Sequence, residues 1–300
     1  MVLVGREVAR DVVEVRGPDS VTYLQGQVSQ DVEHLDVGAT SWTFVLQPAG
    51  KVDAWCRITR TAEDAYLLDV DGGSGKRLIA RLQRFLLRTK AEVTFLEGWH
   101  CIAVRGAGAD EAVANAPGAA ELRVPAGWPG IEGSDLLGAS VTFPSGVKPI
   151  GAEAFSALRI QAGVPAMGAE LTDKTIPAEV GQWIIDASVD FTKGCFTGQE
   201  LVARIDSRGG NVPRHLHGLL LDGPVAPSKG AVVHVGDAEV GSVTSAAWAA
   251  PLQRPVALAY IARSIEPGPD GVEAVVTWGD GASTADARVR TLPLPLLPAD

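Results

Sequence analysis

Residues 193–200 read Lys193-Gly194-Cys195-Phe196-Thr197-Gly198-Gln199-Glu200. Eight positions hold a cation, a thiol, a carboxylate and two glycines. A thiol attacks or ligates as thiolate, and a neighbouring cation favours that form. Glycine lets the backbone turn tightly and approach a ligand closely. Polarity continues through Arg204, Asp206, Ser207, Arg208, Gly209, Gly210 and Asn211. A core helix or strand carries less, so the stretch reads as a site. An isolated cysteine is ordinarily a small buried hydrophobe, and its neighbours set Cys195 apart. Cys56 and Cys101 lie instead in the apolar, strand-like runs Ala54-Trp55-Cys56 and Cys101-Ile102-Ala103, as packing residues do.

Around this stretch the composition is that of a globular protein, with 46% hydrophobic and 21% charged residues in 300. Such a length favours two or three domains over one core. A net charge of -10 argues against broad nucleic-acid binding, which needs a basic surface, although net charge says nothing about patches. No apolar run reaches membrane-spanning length, so no membrane partner is expected. The start, MVLVGREVARDVVEV, alternates like one strand and lacks the features of a signal peptide. Three well-separated cysteines do not make a disulfide framework and fit a reducing cytoplasm.

Periodicity predicts α+β layers followed by an all-β unit. Gly17-Pro18-Asp19 breaks the first strand and precedes a short helix carrying Val21, Leu24 and Val28. Strands over 42–46 and 52–60 flank Gln47-Pro48-Ala49-Gly50-Lys51, a hairpin by its turn residues. A strand over 65–70, a helix over 74–87, strands over 91–97 and 99–104 and a short helix over 110–116 follow. The Gly/Pro-rich stretch 117–151 holds strands with turns, and a helix covers 152–162. From 216 onward six short strands, 216–221, 231–235, 239–245, 256–261, 273–278 and 284–290, are separated by Gly/Pro/Asp turns and make a small barrel or sandwich.

Several familiar motifs fail. Asp71-Gly72-Gly73-Ser74-Gly75-Lys76-Arg77 resembles a phosphate loop, but Val70 stands at the first glycine position and Arg77 where a Ser or Thr would hold magnesium. Arg105-Gly106-Ala107-Gly108 has Glu111 where a third glycine would complete a dinucleotide fingerprint. His215 and His217 share one face of a strand, yet two histidines and one cysteine are too few for a metal-site signature, and no metal ligand set is assigned.

Taken together, KGCFTGQE with Leu201-Val202-Ala203-Arg204 and Arg208-Gly209 resembles the YgfZ-type folate-binding proteins, relatives of the glycine-cleavage aminomethyltransferase (T-protein). Further pieces agree in order: Gly17-Pro18-Asp19 through Tyr23-Leu24-Gln25-Gly26-Gln27-Val28-Ser29-Gln30-Asp31-Val32, Gly50-Lys51, Arg159 through Gly163-Val164-Pro165, Thr175-Ile176-Pro177-Ala178-Glu179, and Gly241-Ser242-Val243-Thr244-Ser245. The resemblance implies an aminomethyltransferase-like α+β fold of three domains around a central folate pocket, one of them a C-terminal β-barrel. Its expected division is residues 1–45 with 98–213 as folate-binding core, 46–97 as a ferredoxin-like portion and 214–300 as barrel. By motif match Glu179 is expected to bind the pterin edge and Arg214 the anionic tail, since a carboxylate accepts paired donors and a guanidinium binds carboxylate. Gln27, Asp31, Gln199 and Glu200 fall in the matched motifs and are expected around the same ligand, tetrahydrofolate or a derivative.

The function implied is an accessory one: folate binding that supports assembly or repair of [4Fe–4S] proteins, with an indirect effect on tRNA modification and no direct nucleic-acid contact. Cys195 is the expected functional thiol, poised by Lys193, and the expected partners are iron–sulfur clients or assembly factors. The alternative is a folate-dependent one-carbon transferase. That reaction needs an acid or base in the pocket. The helix start Ser74–Leu82 carries no carboxylate, which leaves Asp31, Asp69 or Asp71 for the role.

Overall fold

The computed structural model describes residues 2–116, 120–279 and 281–294. It contains two five-stranded sheets and a closed six-stranded barrel. The first sheet runs Thr40–Leu46, Val52–Ala62, Ala65–Asp71, Arg10–Arg16, Glu92–Leu96, every neighbour antiparallel. Side chains alternate across it, as strand geometry dictates. Val13, Ile58, Leu68 and Val70 face one way and are covered by Tyr23 and Leu24 of helix Ser20–Gln27 and by Leu78 and Leu82 of helix Gly75–Gln83. Val12 and Leu67 face the other way.

There they meet Cys101, Leu122, Val124 and Leu137 of the second sheet. Its order is Lys148–Pro149, Val4–Val8, His100–Arg105, Gly133–Gly138, Leu122–Pro125, with helix Ala109–Ala114 packed on its far side. The two sheets therefore lie face to face between outer helices. The expected single N-terminal strand is two, Val4–Val8 and Arg10–Arg16, parting at Ala9 and pairing into different sheets. One alternating run serves both because alternation specifies which face is buried, not which sheet is joined. The expected division at 45/46 falls inside one hairpin, where Phe44 pairs Trp55, Val45 pairs Ala54 and Leu46 pairs Val52. Residues 10–16 share this sheet with strands 40–46, 52–62, 65–71 and 92–96, on both sides of that expected division.

The barrel closes in the order Arg214–Leu221, Arg254–Ala262, Ala238–Ala249, Val232–Val235, Val272–Trp278, Ser283–Arg290. Leu219, Val233, Val243, Ile261, Val276 and Val289 fill it. Leu216, Val256, Leu258 and Tyr260 belong to a different cluster. That cluster joins the barrel to helix Ala152–Gln161, to Val180 and Ile184, and to Phe44, Leu46 and Trp55 of the first sheet. The first barrel strand starts at Arg214; residues 295–300 of the expected span 214–300 lie outside the described residues.

Between the two sheets sits a chain of ions. Arg57 donates to Asp69 Oδ1 at 2.7 Å and to Asp135 Oδ2 at 2.7 Å. Arg10 also binds Asp69, at 2.5 Å, and Arg105 binds Asp135 at 2.6 Å. Arg57 and Asp69 are on the first sheet and Arg105 and Asp135 on the second, so the chain bolts one to the other. All but Arg10 are nearly inaccessible to water. Burial opposes the charge on Asp135, but Arg105 and Arg57 outweigh it and hold the carboxyl down at about 2. Asp69 is lowered likewise, by Arg57 and Arg10 against desolvation. A carboxyl held below its unfolded value stabilises the fold above that value and loses the contribution as pH falls towards the folded one. Asp135 therefore contributes on the order of 2 kcal/mol at neutral pH, lost between about pH 5 and pH 2. Breaking the chain at one partner costs about 3–5 kcal/mol, because the other charges stay buried. Thermal unfolding should show Asp135→Asn with a markedly lower Tm than wild type at pH 7, the gap narrowing steadily toward pH 3. A gap that does not change with pH would count against this account.

Candidate functional site

The cysteine stretch is a loop held down at both ends. Lys193 Nζ donates to the carbonyls of Val28 at 2.8 Å and Gln30 at 2.7 Å. The Asp190 backbone N–H bonds Ser29 O at 3.0 Å, and that of Thr197 bonds Gly26 O at 3.1 Å. The octet is thereby stitched onto the 26–30 segment that ends the first helix, so two motifs far apart in sequence become neighbours. On its other side it meets the hairpin turn. A Cβ on Gly198, whose φ is +84°, would lie 2.5 Å from Gln47 O, and one on Gly50, φ +76°, 2.5 Å from Leu201 Cβ. Both positions need left-handed backbone and no side chain, which is why both are glycine.

Held this way, Cys195 is exposed and carries a free thiol, whereas Cys56 and Cys101 are buried and their thiols pushed well above the ordinary range by desolvation. The expected packing role of the latter two stands. Lys193 departs from its expected role. Its ammonium is spent on two backbone carbonyls and lies over the Phe196 ring at 5.3 Å. Burial pulls it down to about 8, against the raising influence of Asp31 and Asp190. It anchors the loop and makes no hydrogen bond to the thiol. The polarity after the octet is also partly local: Gln199–Asp206 is an amphipathic helix burying Val202 and Ile205, with polar residues on its wet side.

The remaining expected ligands divide into two groups that no hydrogen bond or ion pair links among the described residues. Around the loop, Gln27 accepts from Arg81 at 3.0 Å and Gln199 accepts from the Phe196 N–H at 3.0 Å. Asp31 closes a turn through Gln25, Glu33 and His34. Burial works against the charge on Asp31, yet the bonds from His34 and Gln25 hold it below the usual carboxylate range. These three side chains shape the loop's support, and Glu200 is exposed.

Glu179 and Arg214, by contrast, are brought together. Arg214 Nε and Nη2 lie 3.1 and 3.3 Å from the two carboxylate oxygens of Glu179, and Glu179 Oε2 also accepts from the Ile176 N–H at 3.2 Å. The guanidinium stacks over Tyr260 at 4.1 Å. Glu179 is buried while 40% of the Arg214 side chain is exposed, so the arginine is the movable partner. In the next helix, Gln182–Ser188, Trp183 Nε1 is buried without an acceptor, its ring edge-on to Trp55 at 6.2 Å. A buried carboxylate whose cation partner can move away suits a heterocycle edge offering paired N–H groups.

Sequence reasoning missed the junction between the sheets. A cavity of about 90 Å³ there is walled by Trp42, Trp55 and Trp128 and edged by Arg10, Arg57 and Arg105. Trp42 stacks on Trp55 at 3.9 Å, and Arg105 lies 4.1 Å over Trp128 with its Nε unpaired. The available signal was charge at the centre of apolar strands, as in Trp55-Cys56-Arg57-Ile58 and Leu67-Leu68-Asp69-Val70. The carboxylates considered for acid–base work are engaged: Asp69 by Arg10 and Arg57, Asp71 by Arg10 at 2.5 Å and the Met167 N–H at 2.9 Å. The loop that resembled a phosphate site is closed by Asp11, whose carboxylate takes the Gly73 and Gly75 N–H groups at 2.8 and 2.7 Å. His215 and His217 lie 6.4 Å apart on the barrel, and burial, then the charge of His215, lowers His217 to about 4. Among the described residues no group of three or more His, Cys, Asp or Glu is placed to hold a metal ion, and no helix is long and apolar enough to cross a membrane.

Residues 10–125 match the model of the GCVT N-terminal domain, and residues 214–294 that of the glycine cleavage T-protein C-terminal barrel domain. An aminomethyltransferase of Thermus thermophilus is 28% identical over 86% of this chain and 79% of its own. An uncharacterized protein of Haemophilus influenzae is 29% identical over 67% of each. A mitochondrial iron-sulfur cluster assembly factor IBA57 homolog of Chaetomium globosum is 28% identical over 76% of this chain and 59% of its own. The crystal structure of glycine cleavage system aminomethyltransferase T from Bartonella henselae superposes with a TM-score of 0.77 over 98% of this chain and 86% of that one, at 20% identity, a likeness of fold. With both sheets, the closed barrel and the two matched regions in the same order, the chain belongs to the GcvT-like family.

Proposed function

We propose that this protein binds a reduced folate and supports the assembly or repair of [4Fe–4S] proteins, with Cys195 as its functional thiol. The observation that carries the reading is an exposed cysteine on a loop pinned by Lys193, Thr197 and the Gly50–Gly198 contact. Pinning removes the entropy a mobile loop would lose on meeting a cluster or a partner, while exposure leaves the sulfur reachable. One thiol supplies one ligand, so the cluster is cargo shared with a partner and not held by this chain alone. The relative named as an iron-sulfur cluster assembly factor agrees with this reading.

Glu179 and Arg214 would hold the folate: Glu179 accepts from the heterocycle, and Arg214 is freed for an anionic tail. Bound tetrahydrofolate would supply a reduced ring able to carry a one-carbon unit or give up electrons. Transfer of a one-carbon unit is the weaker reading, because Asp31, Asp69 and Asp71 are all committed to other partners.

Two measurements test the proposal. In cells lacking the protein, [4Fe–4S] enzyme activity should fall and return with wild type, but not with Cys195→Ser expressed at the same level and equally folded. Equal rescue by both forms would remove Cys195 from the mechanism, and no loss on deletion would remove the cluster role. Titration calorimetry with tetrahydrofolate should show Glu179→Gln binding at least about tenfold more weakly, the scale of one charge-assisted hydrogen bond. Unchanged affinity would move the pocket elsewhere, and aminomethyl turnover insensitive to Cys195→Ser would favour the transferase.

A further inference from the structure

The stretch 72–91 departs from the rest of the chain. It holds six of the 26 Lys and Arg (Lys76, Arg77, Arg81, Arg84, Arg88, Lys90) and none of the 36 Asp and Glu, in a protein of net charge -10. Helix Gly75–Gln83 turns its apolar side, Leu78 and Leu82, into the first sheet, and Leu86 pins the following turn to the same cluster. What remains outside is basic and partly apolar. Leu87 is 87% exposed, more than any other large hydrophobic side chain among those described, and Phe85 is exposed beside it. Arg88 holds φ at +64°, a conformation a bulky side chain rarely adopts.

Of these cations only Arg77 and Arg81 are used internally among the described residues. Asp53 neutralises Arg77 at 2.8 Å and approaches Arg81 at 3.4 Å. Lys76, Arg84, Arg88 and Lys90 have no carboxylate partner among the described residues. Arg84 and Phe85 border a groove of about 370 Å³ whose other wall is Gln47 and Pro48. Gln47 is also the residue whose carbonyl lies under Gly198. The basic face and the cysteine loop therefore share one hairpin turn.

From this we infer that residues 76–90 are a docking surface for an acidic protein partner, seated so that its edge reaches the loop carrying Cys195. The placing of that partner beside Cys195 rests on the function proposed above; the charge of the surface does not. Protein is favoured over the other polyanions by Leu87 and Phe85, an exposed apolar pair among arginines, since aromatic side chains and arginine are enriched at protein interfaces. Nucleic acid or a membrane would extend beyond so small a patch and meet the acidic remainder of the molecule.

Fluorescence anisotropy tests the surface directly, with a labelled peptide of about 15 residues, Asp/Glu-rich and carrying two leucines, as probe. The double variant Arg84→Glu/Arg88→Glu, whose sites are exposed and whose melting should match wild type, is expected to weaken binding about tenfold or more at low salt. Leu87→Ser should weaken that peptide but leave an all-acidic peptide of equal charge unaffected. Equal binding by wild type and the double variant overturns the proposal. So does tighter binding of a single-stranded oligonucleotide of the same charge, or of vesicles rich in phosphatidylglycerol, which would assign the patch to nucleic acid or membrane. In the cellular assay the double variant, with Cys195 intact, should fail to restore [4Fe–4S] enzyme activity, and full rescue would separate the patch from that function. Should deletion itself cause no loss, the functional reading falls while the peptide titration still decides whether the acidic-partner surface exists.

Discussion

The buried chain Arg10–Asp69–Arg57–Asp135–Arg105 is the interaction on which the rest depends. The two sheets face each other over a modest apolar contact that includes Val12, Leu67, Cys101 and Leu137. Ions taken out of water must be matched closely or they destabilise, so the chain tolerates few relative positions of the sheets. It contributes specificity of packing more than net energy. The tryptophan-walled cavity lies beside it, edged by Arg10, Arg57 and Arg105.

The cysteine loop follows the same logic in milder form. Nothing in the octet makes it rigid by itself; its glycines favour motion. Rigidity comes from outside, from the carbonyls of Val28 and Gln30 and from the turn at Gln47–Gly50. Lys193, which beside a cysteine reads as an activating cation, is a mooring instead. Carbonyl oxygens at the end of a helix and in the turn after it need donors, and a lysine held near them serves. The thiol is thus presented by the backbone of another segment and not by the charge next to it in sequence.

Much of the architecture was legible because its signals are local. The hairpin turn at 47–51 and the six short barrel strands follow from turn residues and periodicity and appear near their expected bounds, while the amphipathic helix expected over 74–87 starts there but ends at Gln83. The site was legible only in part. Glu179 and Arg214 were named separately and meet as a pair, and Cys195 is exposed as a functional thiol must be. Gln27, Asp31 and Gln199 are engaged by Arg81, by Gln25 and His34, and by the Phe196 N–H, partners that only the folded chain supplies.

Sequence by itself determined where the hairpin, the barrel strands and the helices after residues 19, 74 and 151 lie, and that a polar, glycine-bearing cysteine stretch stands apart from them. Those follow from side-chain hydrophobicity and from backbone preferences that act over a few residues. Only the tertiary structure decided that one alternating N-terminal run feeds two sheets, that Arg57 and Asp135 meet across them, and that the octet rests on residues 26–30 and 47–50. Partners distant in sequence are selected by shape and by the need to satisfy buried charge and hydrogen-bonding groups, and those conditions exist only once the layers have come together.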